Sequence, residues 1–209
     1  MIRVFFKIDK NQDAKNWNRV MAIKNLPYGL LKKNGGMGNK MIKNFSNDEL
    51  TRLETAKKRL EEYFTKDGQE IFKVMEKITG QSIYTNKFYA SFTTAGFHPY
   101  DLNSNWFMVP VTENFPKQIT DVCHELLHLQ IGHYYKEYCL KNGVSEEKFF
   151  DLNEILSFLI NDKLFREFNL LPDEGYPNHK DSRIKLEKIW RQERNFNNLI
   201  EAAVLSVKE

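Results

Sequence analysis

The sequence predicts an α+β fold in a single domain that covers residues 1–209. The length of 209 residues and the 41% hydrophobic content fit one folded domain. Stretches rich in β-branched and aromatic residues occur in the first half, whereas apolar residues recur at helical spacing in the second half. We therefore expect a mixed α/β part at about residues 1–114 and a helical part at about residues 115–209.

The mixed part should contain three strands and three helices. β-Branched and aromatic residues mark the strands, and apolar residues at near-helical intervals mark the helices. Ser46 is followed three residues later by Glu49, which is the spacing of a capping box at a helix start. The predicted strands are residues 2–9, 87–94 and 105–111, and the predicted helices are residues 13–24, residues 46–66 and an amphipathic stretch that stops near Gly80.

A glycine cluster interrupts the mixed part at residues 34–39. It lacks both the Gly-Lys-Ser/Thr ending of a phosphate-binding loop and a preceding apolar strand. We therefore expect a surface loop or lid in this segment.

The helical part is predicted to contain three long helices, because apolar side chains recur there at helical spacing. These helices are residues 117–140, 146–169 and 181–207, and a loop at residues 171–175 precedes the last of them.

Composition narrows the functional class. The net charge of +3 is far below the concentrated positive charge of a dedicated nucleic-acid binder. Two cysteines cannot form a disulfide framework, and the first residues lack the uninterrupted apolar core of a signal peptide. No apolar run approaches the roughly 18 residues that a membrane span requires. We expect a soluble cytoplasmic protein without a nucleic-acid or membrane partner.

The motif His-Glu-x-x-His occurs once, from His124 to His128, inside a predicted helix. Residues four apart share a helix face, so His124 and His128 can present two imidazole nitrogens to one metal ion. Glu125 leans toward the same face and can accept a proton from water that zinc has activated. The chance expectation for this motif in a chain with five histidines is about 0.01, so the pattern is a real signal.

A catalytic zinc ion usually takes a third protein ligand. Glu154 is the best candidate, because apolar residues at helical spacing surround it and ligation would offset the cost of burying its charge. Asp151, Ser157 and Asn161 lie on or near the same helix face and are candidates to orient the ligands.

Residues 110–165 resemble the active-site region of the zincin metallopeptidases, and the glutamate on a following helix is similar to the gluzincin arrangement. The resemblance implies a zincin-like fold, with a small, mostly antiparallel sheet over the active-site helix. The zinc ligands that it implies are His124, His128 and Glu154, with Glu125 as general base and proton shuttle.

The resemblance also implies that residues 105–111 form an edge strand that binds an extended peptide by strand addition. One position departs from the gluzincin pattern. The ligand glutamate of that group is often followed four residues later by aspartate, whereas Phe158 stands there in this chain.

Other ligand sets fit the sequence less well. His133 and Gly132 are out of register with the metzincin pattern and with that of bacterial rRNA-processing metallohydrolases. Peptide deformylases take a cysteine from an upstream strand, whereas Cys123 adjoins His124 on its own helix and is most simply a core residue. A di-iron helical bundle needs a second Glu-x-x-His on another helix, and the sequence contains none.

Peptide hydrolysis also needs a donor that faces the developing oxyanion. The loop before the last helix offers Tyr176 and His179, and with less support Arg183. The predicted function is hydrolysis of peptide bonds in a peptide or protein substrate with Zn2+ as cofactor. Two alternatives stay open: a catalytically inactive zinc-binding module, and a metal-dependent hydrolase that acts on RNA or another non-peptide substrate.

Overall fold

The fold is α+β in the computed structural model, which describes residues 1–22, 47–111, 114–168 and 170–207. The strands in these ranges are β1 (Arg3–Lys7), β2 (Lys87–Thr93), β3 (Tyr100–Asp101) and β4 (Trp106–Pro110). The α-helices are α1 (Lys10–Ala22), α2 (Asn47–Lys66), α3 (Gly68–Thr79), α4 (Phe115–Lys141), α5 (Glu146–Leu156), α6 (Lys180–Glu193) and α7 (Phe196–Ser206). The predicted class, with a mixed first half and a helical second half, is confirmed.

The four strands form one mixed sheet in the order β1-β2-β4-β3. The β1/β2 and β2/β4 pairs are parallel, and only β3/β4 is antiparallel. The expectation of a mostly antiparallel sheet is therefore wrong. Helices α2 and α3 lie between β1 and β2 in sequence and supply the long crossover that a parallel pair requires. The nearly continuous burial along β2 and β4 is also typical of parallel strands.

Strand β4 lies inside the sheet, so the prediction that residues 105–111 form an edge strand is wrong. Its Phe107 pairs with Tyr100 of β3, and the Met108 backbone nitrogen donates to the Pro99 carbonyl at 3.0 Å. The stretch between β2 and β4 folds back against β4 and supplies this short edge strand.

Two of the three long helices predicted in the C-terminal part are interrupted. The α-helix α5 ends at Leu156, and the chain continues in two 3-10 segments, Ser157–Asn161 and Lys163–Phe168. The last predicted helix is two helices, because Arg194 adopts a positive φ of 52° and the Asn195 side chain caps the backbone of α7.

The start of α1 is set by Asp9, whose carboxylate accepts hydrogen bonds from the backbone of Asn11 and Gln12. The capping serine predicted at residue 46 and the glycine cluster at residues 34–39 lie outside the described residues.

Helix α4 is the 27-residue central helix of the fold. It begins with the Asn114 side chain as its N-cap and packs against β4 and α5, so its middle turns are buried on nearly all sides. Gly132 permits a close approach, because a Cβ there would lie 2.5 Å from Leu102. No helix in the described ranges is long and apolar enough to cross a membrane.

Candidate metal centre

Helix α4 brings the motif histidines together in the interior. The rings of His124 and His128 lie 4.2 Å apart between centroids and are nearly perpendicular. His128 is fully buried, and the His124 side chain is 19% exposed. The two imidazole rings therefore lie on the same helix face, as the four-residue spacing predicts, and the His124 ring is partly accessible.

Helix α5 supplies Glu154 to the same place. Its Oε2 lies 3.5 Å from His124 Nε2, and its Oε1 lies 3.2 Å from His128 Nε2. The three potential ligand atoms all lie within 4.8 Å of one another. We call these three side chains, His124, His128 and Glu154, the metal cluster, because together they could hold one metal ion.

The donor types of the metal cluster, and two of the separations within it, are compatible with a zinc ion. Two ligands held about 2.0–2.2 Å from one tetrahedral zinc ion lie roughly 3.3–3.6 Å apart, close to the two separations observed here. Neither ring nitrogen of buried His128 makes a regular hydrogen bond within the described part of the chain. Buried polar atoms are nearly always satisfied, so a metal ion bound at Nε2 would supply the partner that this nitrogen of His128 lacks.

The charges in the metal cluster are strongly coupled. Burial opposes a charge on His124, but the hydrogen bonds that its ring donates to the carboxylates of Asp173 and Glu154 outweigh burial and raise the pKa of His124 well above the usual value. Burial, aided by the nearby charge of His124, lowers the pKa of His128. Burial also opposes the charge of Glu154, yet His128 and His124 hold its pKa well below the usual range. The metal-free protein thus pairs a carboxylate with one imidazolium.

Glu125 is buried beside the metal cluster, with only 4% of its surface exposed. Its Oε2 has no hydrogen-bond partner among the described residues. Burial raises its pKa well above the usual value, and the neighbouring carboxylate of Glu154 adds to this effect. A buried carboxyl group with one unpartnered oxygen next to potential metal ligands is suited to exchange a proton.

Asp173 is a site residue that sequence reasoning did not identify. Its Oδ2 lies 3.5 Å from His124 Nδ1, the ring nitrogen that does not face Glu154. The Asn161 side chain donates a hydrogen bond to the Asp173 carbonyl and accepts one from the Asp173 backbone nitrogen. The Ser157 hydroxyl donates to the Asp173 carboxylate. A carboxylate can therefore orient His124 even though Phe158 occupies the position at which gluzincins often carry aspartate.

Ser157 and Asn161 thus act on the site through Asp173. Asp151, the third residue predicted to orient the ligands, contacts His179 instead, with its Oδ1 3.4 Å from His179 Nε2. No spacing signal in the sequence links residue 173 to residue 124.

Arg183 is buried behind the metal cluster and does not face it as a free donor. Its Nη1 donates to the Ser157 hydroxyl at 2.7 Å and to the Glu154 carbonyl at 3.2 Å. Its Nη2 donates to the Asp173 carbonyl at 2.7 Å. One guanidinium thereby joins the helix end that carries Glu154 to the loop that carries Asp173.

The loop lies tightly against this guanidinium at Gly175. A Cβ there would come within 2.5 Å of Arg183 Nη1, and the glycine has a positive φ of 65°. Both facts favour glycine at this position.

The two predicted donors occupy different positions. Tyr176 is 48% exposed, and burial together with the carboxylate of Glu154 raises its pKa to about 12. His179 is buried and lies edge-on to the Tyr176 ring, 5.7 Å between centroids. The charges of the metal cluster therefore act on Tyr176, whereas His179 packs against the Tyr176 ring.

His98 and Tyr100 also lie near the metal cluster and were not predicted. Burial and the charge of His124 lower the pKa of His98 to about 4, and its Nε2 has no hydrogen-bond partner in the described ranges. The Tyr100 ring lies 5.2 Å from that of His128. Both residues come from the stretch between β2 and β4, where no helical or strand periodicity relates them to the histidines of α4.

The competing ligands lie elsewhere. His133 is exposed and stacks on Tyr84, with ring centroids 4.0 Å apart. Cys123 is fully buried in the hydrophobic core, and burial raises the pKa of its thiol. Neither residue belongs to the metal cluster.

Comparisons of this chain with models of protein families, with curated proteins and with solved structures found no match. The function is therefore argued from the site itself.

Proposed function

We propose that the protein is a zinc-dependent hydrolase that cleaves peptide bonds. The observation that carries the proposal is the approach of His124, His128 and Glu154 to within 4.8 Å of one another, with buried Glu125 next to the first ligand in sequence. Peptides are the proposed substrate because this set of residues resembles that of the gluzincin peptidases.

The number of ligands favours a catalytic site over a purely structural one. Structural zinc sites are almost always closed by four protein ligands, whereas catalytic sites use three and leave a position for water. The metal cluster contains three residues in the described part of the chain. The partial exposure of the side chains of His124 and Glu154, 19% and 26%, leaves a way in for a substrate.

A zinc ion bound at the metal cluster would act as a Lewis acid and lower the pKa of a water molecule to about 7. Glu125 takes the proton of this water and returns it to the leaving amine. Burial moves the pKa of Glu125 up from the usual carboxyl range, and a zinc ion at the metal cluster would favour the carboxylate form that accepts the proton.

Tyr176 is the proposed donor to the developing oxyanion. Its pKa of about 12 keeps the hydroxyl protonated at neutral pH, so the group can donate a hydrogen bond. Asp173 and Arg183 position the site: Asp173 holds His124 at Nδ1, and Arg183 holds Asp173.

The variant Glu125→Gln tests this proposal. The matched control is Glu137→Gln, which makes the same change on an exposed position of α4. Purified protein should contain about one zinc ion per chain, and Glu125→Gln should keep the zinc but lose about 100-fold or more of its activity on a peptide mixture. Glu137→Gln should retain both.

Three results would contradict the proposal. Undiminished hydrolysis by Glu125→Gln would remove the proposed base. Zinc binding without any peptide hydrolysis by the wild type would favour a zinc-binding module, and cleavage of RNA alone would move the substrate to another class.

A further inference from the structure

An exposed aromatic side chain lies one helical turn from the proposed ligand Glu154. Phe150 and Glu154 are four residues apart on α5 and therefore share a helix face. Phe150 is 49% exposed, although large apolar side chains are usually buried. An exposed aromatic ring beside a polar site is a feature of ligand-binding surfaces.

The apolar surface continues from Phe150 through Tyr100 to the imidazole ring of the proposed ligand His128. The rings of Phe150 and Tyr100 lie 5.9 Å apart, and Tyr100 in turn lies 5.2 Å from His128. Asn153 fixes Tyr100 in this place by donating to its hydroxyl at 3.0 Å and to the His128 carbonyl at 3.2 Å. We call Phe150 and Tyr100 the aromatic shelf.

Tyr176 is a second exposed aromatic residue near the metal cluster. In the described ranges, the exposed aromatic side chains are Phe97, Tyr138, Phe150 and Tyr176. The carboxylate of Glu154 adds to burial in raising the pKa of Tyr176, so Tyr176 is within reach of the charges of the metal cluster. Tyr138 lies apart from this site, because it is ten residues beyond His128 on α4, about 15 Å along the helix axis.

We propose that the aromatic shelf binds a bulky apolar side chain of the peptide substrate, such as phenylalanine, next to the bond that is cleaved. This inference rests on the proposed function and names its substrate class. The shelf adjoins two of the proposed ligands, so a residue seated on it belongs to a substrate that is held at the metal cluster. Burial of a large apolar side chain against the two rings supplies the preference.

Two hydroxamates that differ only in the side chain test the inference. Phenylalanine hydroxamate and glycine hydroxamate carry the same metal-binding group, so the ratio of their affinities for zinc-loaded protein isolates the side chain. We expect the phenylalanine compound to bind at least about tenfold more tightly to the wild type. Phe150→Ala should reduce this ratio to about threefold or less, because it truncates the shelf.

Tyr138→Ala is the control, because it removes an exposed aromatic ring of the same chain far from the shelf. It should keep the tenfold ratio. Equal affinities in the wild type, or an unchanged ratio in Phe150→Ala, would overturn the inference while the proposed function stood. Lack of zinc uptake, or zinc uptake without binding of either hydroxamate, would overturn the proposed function as well.

Discussion

Asp173 and Glu154 contact opposite ring nitrogens of His124, each at 3.5 Å, and come from different segments of the chain. The imidazole is thereby fixed between a potential co-ligand and a carboxylate that orients it. This arrangement is typical of metal-binding histidines, whose second nitrogen donates to a carboxylate.

Asp173→Asn should lower zinc affinity by about 10- to 100-fold, because the amide is a weaker acceptor for the Nδ1 proton of His124. The measurement is a competitive titration of zinc against a chelator of known affinity. Asp181→Asn, an exposed aspartate in the first turn of α6, is the control and should leave the affinity unchanged. Equal affinities of wild type and Asp173→Asn would mean that Asp173 does not support the ligand.

Glu154→Gln should weaken zinc binding by more than Asp173→Asn does, because it replaces a proposed ligand rather than a residue that orients one. Glu147→Gln, which alters an exposed glutamate on the same helix, should have no effect. Both variants can be measured in the same competition assay. A Glu154→Gln protein with wild-type affinity would move the third ligand to another residue.

The binding of one zinc ion at pH 7 should release about one proton. This proton should come from His124. The pKa of His124 is raised above its ordinary value, so the metal-free protein carries this proton, which a metal ligand must lose. His128 and Glu154 contribute none, because the lowered pKa of each leaves it already unprotonated.

Calorimetry in buffers of different ionisation enthalpy measures this proton. The affinity should fall about tenfold for each pH unit below the pKa of His124. A release of no protons at pH 7 would show that His124 is neutral in the metal-free protein.

Arg183→Met should lower the free energy of unfolding of the metal-free protein by about 3 kcal/mol, because it leaves the largely buried Asp173 with His124 as its cationic partner but without the guanidinium. The matched control is Arg191→Met on the same helix, where the side chain is 73% exposed and its ion pair with Glu187 is worth less than about 1 kcal/mol. Urea unfolding of both variants provides the comparison. Equal losses would argue against a supporting role for the buried guanidinium.

The parts of the site that depend on local geometry could be predicted from the sequence. His124, Glu125 and His128 lie within five residues of one helix, so helical periodicity alone places them on adjacent faces. Glu154 was inferred from its apolar surroundings, and the packing of α5 against α4 then brings it near the histidines.

Long-range packing determines what could not be predicted. Asp173 lies in a loop, 49 residues after His124, and no periodicity relates a loop residue to a helix face. The parallel pairing of β1 with β2 depends on how α2 and α3 cross between these two strands, which the alternation of side chains does not encode. The break at Arg194 could have been inferred, because Asn195 offers a helix cap immediately after it.

X-ray absorption at the zinc edge of the loaded protein tests the central claim most directly, because it reports which atoms surround the metal. The account predicts two imidazole nitrogens at about 2.0–2.1 Å and oxygen ligands from Glu154 and water at about 2.0–2.2 Å. A sulfur ligand at about 2.3 Å, or a shell of oxygen ligands without imidazole, would contradict it.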